Sequence, residues 1–271
     1  MKRVSALPIK LAIILFSFLS LLPFYIMFVM GTYVNEELFT GVKLLPGNYL
    51  LGNLKSVLGQ NFGNVYLNSI YITLTVTISA TFISALAGFA FAKYKFRFKK
   101  VLFFFVLGTM MVPAQLGLVG FVVEMRWFHM MNTHWPLILP AFANAFGVYW
   151  MKSYIGGAIP NELLESSRVD GSTDFRTFIQ IVLPVIKPAM ITIFLMSFLT
   201  SWNSYLLPLV VLDKEKLYTI PLAISMLGNA YRTDYAARIL ALTLTTMPVI
   251  IIFSFGSKYL IQGLVVGSVK E

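Results

Sequence analysis

Six stretches of this chain, residues 11–32, 66–92, 101–123, 135–151, 189–212 and 239–257, contain no Asp, Glu, Lys or Arg. Each is close to or beyond the ~20 helical residues that cross a ~30 Å hydrocarbon core. In lipid every backbone polar group must be satisfied within the segment, so such stretches are helices. Charged residues make up 12% of the chain and hydrophobic ones 58%, which leaves too little polar surface to cover a soluble domain. The prediction is an all-α integral membrane protein with six transmembrane helices. No linker or low-complexity segment interrupts it, so residues 1–271 read as a single transmembrane domain. Lys2, Arg3 and Lys10 flank the first stretch as they would a secretory signal. Its apolar run is too long for one, however, and no small-residue cleavage site follows. It reads as an uncleaved first span.

Charge fixes the expected orientation. With the N-terminus, loop 93–100, loop 152–187 and the C-terminus on one side, that side holds 14 of the 21 basic residues and 5 of the 11 acids. Basic loops stay inside, so both termini and loop 152–187 are expected in the cytoplasm, in a multi-pass protein of the plasma (inner) membrane. The net charge of +10 is thereby spent at membrane edges, which argues against a nucleic-acid partner and for membrane lipid as the surrounding medium. The chain has no cysteine, which rules out disulfides and thiolate metal sites, and His129 and His134 are too isolated to suggest a metal. Outside, loop 33–65 contains a turn at 45–48 and a short surface helix expected over 49–58. Loop 213–238 displays Asn229, Tyr231, Arg232, Asp234 and Tyr235. Pro113, Pro136, Pro140, Pro208 and Pro248 fall in or at the ends of spans. Each removes a backbone donor, and kinks and plain helix ends are equally good readings of them.

The most distinctive polar feature is an island at 162–184 between two apolar segments. Asn161 is expected to cap a short helix with Glu162 and Glu165 near its positive end, and Leu163 and Leu164 give that helix an apolar side. Asp170-Gly171 reads as a break. Ser172 or Thr173 then caps a second helix on which Phe175, Phe178, Ile179 and Val182 recur at helical spacing, ended by Pro184 and Pro188. Spacing alone fits either a docking element or an amphipathic loop resting on lipid headgroups.

The pattern Glu165-Ser166-Ser167-Arg168-Val169-Asp170-Gly171, with Ile181 ten residues after the glycine and then Leu183-Pro184, resembles the EAA loop of ABC-importer permeases. The family commonly has Ala-Ala where this chain has Ser166-Ser167, a change that keeps size. The resemblance implies a type I importer fold whose EAA coupling helix sits in a groove of a cytoplasmic ATPase. Glu165 would then contact the ATPase, and Gly171 would supply the turn. The chain lacks a Gly-Lys dipeptide and so has no P-loop of its own. ATP and magnesium are therefore expected in two partner nucleotide-binding ATPase subunits, with no cofactor bound by this chain and no enzymatic activity in it. The spans also lack the carboxylates and histidines of proton relays, though sodium coupling through hydroxyls and carbonyls stays open.

The fifth stretch holds Ser201-Trp202-Asn203-Ser204-Tyr205-Leu206-Leu207-Pro208-Leu209. Amides bond sugar hydroxyls and rings stack on pyranose faces. Interfacial aromatic belts and helix-to-helix amide bonds explain the same residues. The Trp-Asn, aromatic and Leu-x-Pro-Leu order resembles carbohydrate permeases of the maltose type. The tail Gln262-Gly263-Leu264-Val265-Val266-Gly267-Ser268-Val269-Lys270 is similar to that of their MalG-like subunit. That likeness implies a sugar importer with a second, MalF-like permease as heterodimer partner and an extracytoplasmic sugar-binding protein on the outer loops. Trp202, Asn203 and Tyr205, with Asn144 of the fourth stretch, are the candidate pathway residues. A permease for a peptide, amino acid, polyamine or oxyanion is the nearest rival, and a stand-alone carrier the next.

Overall fold

The computed structural model describes residues 6–59, 61–229 and 232–268. Tyr231 and the last residues of the tail lie outside it, as do the side chains from 258 onward and those of Asn229 and Arg232. The helices in order are α1 (Ala6–Met30), α2 (Leu50–Leu58), α3 (Phe62–Lys93), α4 (Lys99–Thr109), α5 (Leu118–Trp127), α6 (Trp135–Ile138), α7 (Ala145–Ala158), α8 (Asn161–Val169), α9 (Asp174–Thr177), α10 (Leu183–Val185), α11 (Lys187–Trp202), α12 (Leu206–Val211), α13 (Ile220–Ser225) and α14 (Tyr235–Ser268). One departure from an all-α chain occurs among the described residues. Strand β1 (Gly228–Asn229) pairs antiparallel with β2 (Arg232–Thr233), Gly228 opposite Thr233.

Among the described residues three single helices are long and apolar enough to cross a membrane, at Leu7–Met30, Phe62–Lys93 and Tyr235–Ser257. They match the first, second and sixth expected spans. The other three expected spans are not single rods. The third is broken after α4, where the Ala114–Trp127 segment turns away by 89°. Pro113 stands at this break in extended backbone, and a proline disfavours helix in the residue before it. The fourth is divided between α6, a 3₁₀ turn (Leu139–Ala143) and α7, with Pro140 and Asn144 at the divisions. The fifth stops at Trp202 and resumes as α12. Asn203, which caps α11, turns its amide back to the Leu199 carbonyl at 2.9 Å. Before it, the Asp174–Val185 segment meets α11 at 81°.

The chain forms two compact units, Met1–Asn64 with Leu222–Pro248, and Val65–Pro221 with Val249–Glu271. In the first, α1 and α14 pack closely at Gly31, where a Cβ would lie 3.0 Å from the Leu240 Cα. The buried Asn53 of α2 donates to the Gly31 and Tyr33 carbonyls at 2.8 Å, pinning the expected short helix onto the end of α1. Asn35 accepts from the Tyr235 amide at 2.9 Å, which ties loop 33–49 to the start of α14.

The second unit is built on a core of Ala85 and Phe89 from α3, Met151 and Ile155 from α7, Ile159, Leu164 from α8, Phe178 and Val182 from the π-turn Phe178–Val182, and Ile186, Ala189 and Ile193 around α11. Gly88 makes the central crossing possible: a Cβ there would lie 2.4 Å from the Met151 Cβ and 2.8 Å from the Lys152 amide. Gly147 does the same opposite Ser84.

Candidate functional site

The polar island folds as a helical hairpin whose geometry follows from a few local bonds. Helix α8 begins at Asn161, with Pro160 in the capping position and no side-chain cap. Asn161 therefore does not cap as expected. Its carboxamide oxygen instead accepts from Lys93 Nζ at 3.1 Å, and the same ammonium bonds the Ile159 carbonyl. The helix closes in a Schellman motif: the Ser172 amide bonds the Ser167 carbonyl at 2.9 Å, and the Gly171 amide bonds that of Arg168 at 3.0 Å. Gly171 takes the left-handed conformation this requires, φ +76°. Thr173 then caps the return leg by accepting from the Arg176 amide at 3.3 Å.

The return leg is α9, the π-turn and α10 in continuous succession. Pro184 lies inside it and does not end it; the break comes at Ile186. The proline has no amide to give, and a π-turn directly before it is a common way for the backbone to absorb such a loss.

The hairpin has an inner and an outer side. Leu164, Ser167, Thr177, Phe178 and Val182 are buried. The Phe178 ring stacks on Phe89 of α3 at 5.5 Å. The Ser167 hydroxyl donates to the Leu164 carbonyl at 2.8 Å and lies 3.1 Å from that of Thr177, so its small size serves the closeness of the two legs. Glu162, Glu165, Ser166, Asp170, Gly171 and Pro184 are exposed, together with the apolar Val169, Phe175 and Ile179. Arg168 forms an ion pair with Asp174 at 3.3 Å across the turn and lies over the Tyr94 ring. Burial pushes the Tyr94 phenol up from its ordinary value, and Asp174 adds to this. Bonding to Tyr94 first, and to Asp174 second, raises Arg168. Lys93, Tyr94 and Arg168 thus tie the hairpin to the end of α3. The sequence signal for the first two is a Lys-Tyr pair closing a long apolar run.

A second feature of the same unit is a cavity of about 630 Å³. Asn144 contributes to its lining; Trp202, Asn203 and Tyr205 do not. Trp202 is buried, stacked on Phe198 at 5.5 Å and edge-on to Tyr66 at 5.8 Å. Asn203 and Tyr205 are exposed. Asn144 caps α7 by accepting from the Gly147 amide at 2.9 Å and offers its amide nitrogen to Ser197 Oγ at 3.4 Å. Of the candidate pathway residues, the structure brings only Asn144 to the cavity.

Residues 80–266, which include the hairpin and all of the cavity lining but Ile72 and Val76, match the family described as binding-protein-dependent transport system inner membrane component. The chain belongs to that family. Among curated relatives, the arabinooligosaccharides transport system permease protein AraQ of Bacillus subtilis is 35% identical over 214 residues, covering 78% of this chain and 76% of the relative. The lactose transport system permease protein LacG of Rhizobium radiobacter is 31% identical over 255 residues, covering 94% and 92%. Among solved structures, a bacterial ABC transporter involved in the import of the acidic polysaccharide alginate superposes with a TM-score of 0.79 at 23% identity, over 96% of this chain and 99% of that one. The fold is therefore that of an ABC-importer permease, a membrane-embedded transport subunit.

Proposed function

We propose that this inner-membrane component is one of two permease subunits of an ATP-driven importer that carries a sugar or oligosaccharide into the cytoplasm. The observation that carries the proposal is the two-sided hairpin Asn161–Val185. Its inner side is locked into the permease core, while its outer side offers acids and unpaired apolar side chains at a sharp turn. That is the construction needed to receive force from a partner. The relatives named for arabinooligosaccharides and lactose supply the substrate class.

On this reading the bent and broken helices complete six crossings, with both termini and the hairpin in the cytoplasm. Two ATPase subunits hold ATP and magnesium, and one of them grips Glu162, Glu165, Ser166, Asp170 and Gly171 of this chain, with Val169 and Phe175 filling its apolar hollows. A MalF-like permease closes the pathway, and a sugar-binding protein delivers from outside. The core behind Phe178 passes ATPase closure to α3 and α11.

The test is sugar uptake by proteoliposomes holding the complete complex. Uptake should require both ATP and the binding protein. Gly171→Pro, which cannot adopt the left-handed turn, should cut it by more than ~10-fold while the spans stay folded. Glu165→Ala should give a smaller loss. Uptake by the purified chain alone, without ATP, would replace the importer reading with that of a secondary carrier.

A further inference from the structure

The cavity has a polar side and an apolar side. One wall is a face of α11: Ser197, Thr200 and Ser201 recur at spacings of three and four and so share a side of the helix, and Ser204 follows in the break after it. Asn144 faces this row through its contact with Ser197. Thr219 completes the polar lining, and its buried hydroxyl has no hydrogen-bond partner among the described residues. The opposite wall is apolar, with Ile72, Val76, Leu137 and Phe146. Among the described residues no charged side chain contributes to the lining.

We propose that this cavity is a saccharide site within this subunit, and that it selects uncharged sugars. The proposal rests on the sugar-import reading and adds to it where the sugar is held and which sugars pass. A pyranose has hydroxyls around its rim and C–H groups on its faces, and the cavity offers a row of hydroxyls and an amide against an aliphatic and aromatic wall. Each hydroxyl can both donate and accept, so the row serves sugars whose hydroxyls differ in orientation. Thr200 and Ser201 already donate, to the Met196 carbonyl and to Thr73, and retain lone pairs for a sugar hydroxyl. The volume lies within the ~300–1,000 Å³ of small-molecule sites and is large enough for more than one ring. A carboxylate or phosphate in the same place would meet no cation among the described residues, and a charge that gives up hydration without a partner is disfavoured.

The chain has no cysteine, so Ser204→Cys introduces a unique thiol at the edge of the cavity. In the complete complex in nanodiscs, maleimide labelling of that thiol is followed with lactose, arabinotriose or maltotriose and, separately, with trigalacturonate. It is run with and without a non-hydrolysable ATP analogue. At least one neutral sugar should slow labelling by about fivefold or more, and trigalacturonate should not. Adding Asn144→Ala or Ser201→Ala should weaken that protection by about fivefold each, the effect of one lost hydrogen bond. Sugar moved per ATP hydrolysed should fall with it.

Protection by trigalacturonate equal to that by the neutral sugars overturns the selectivity. Absence of protection by all three neutral sugars overturns the site, and would mean that a helix of the partner permease fills the cavity. Labelling reads the site without turnover. A complex that binds sugar here but takes none up with ATP would count against the importer reading alone.

Discussion

Helices α1 and α3 look alike as apolar sequence and behave oppositely in the fold. Of the most apolar window of α1 only 6% is buried, against 44% for α3. Leu11, Leu15, Phe16 and Phe18 all stand open on α1. Helix α3 buries Ser69, Thr73, Thr77, Thr81 and Ser84, small polar residues repeated every three or four positions. Greasiness alone suits lipid equally well on every face. Helices in a membrane associate where small residues let backbones approach, and the Ser/Thr row marks that face. The contrast teaches that the hydroxyl residues and glycines mark which face of an apolar helix packs, because a large apolar side chain suits lipid on α1 and the core on α3 equally well.

The comparison can be broken at its strongest point first. Gly88→Ile drives a branched side chain into the Met151 and Lys152 backbone and should cost about 3 kcal/mol, the upper range for overpacking, seen as a collapse in detergent-stable yield. Lys93→Met removes the bonds to Asn161 and the Ile159 carbonyl, and should cost about 1.5 kcal/mol with faster proteolysis of the hairpin. Thr77→Val sharpens the point in the opposite direction. The Thr77 hydroxyl is buried without a partner among the described residues, so this isosteric change should raise thermal stability by up to ~1 kcal/mol. Phe16→Ala on exposed α1 should move the stability of the isolated chain by less than ~0.5 kcal/mol. A larger effect there would mean that α1 packs as α3 does.

The same distinction explains what the amino-acid sequence discloses. The runs that became α1, α3 and α14 were readable because each is long and uninterrupted. The break at Pro113 was one of the two readings that its proline allowed, whereas those at Asn144 and Asn203 were not readable, since hydropathy averages across a bend that two or three residues create. The turn of the hairpin was legible at Gly171 and Thr173, whose roles are local. Asn161 was not, because its partner Lys93 is 68 residues away. The Ser167–Thr177 contact likewise depends on how two legs meet, which spacing along either leg does not specify. In the fifth stretch Trp202 and Asn203 are the chemically rich pair, and neither lines the cavity. The period of Ser197, Thr200, Ser201 and Ser204 was present in the same stretch, and is plain once α11 is seen to face a void.

The bond from Lys93 to the foot of the hairpin also has a mechanical consequence. Helix α3 has 32 residues and so is ~48 Å long. A tilt of ~5° about its latched end carries the other end sideways by ~4 Å, more than the width of a water molecule. Because the lysine holds the rod at its tip, a slight rocking of the hairpin would be enlarged at the far end of α3.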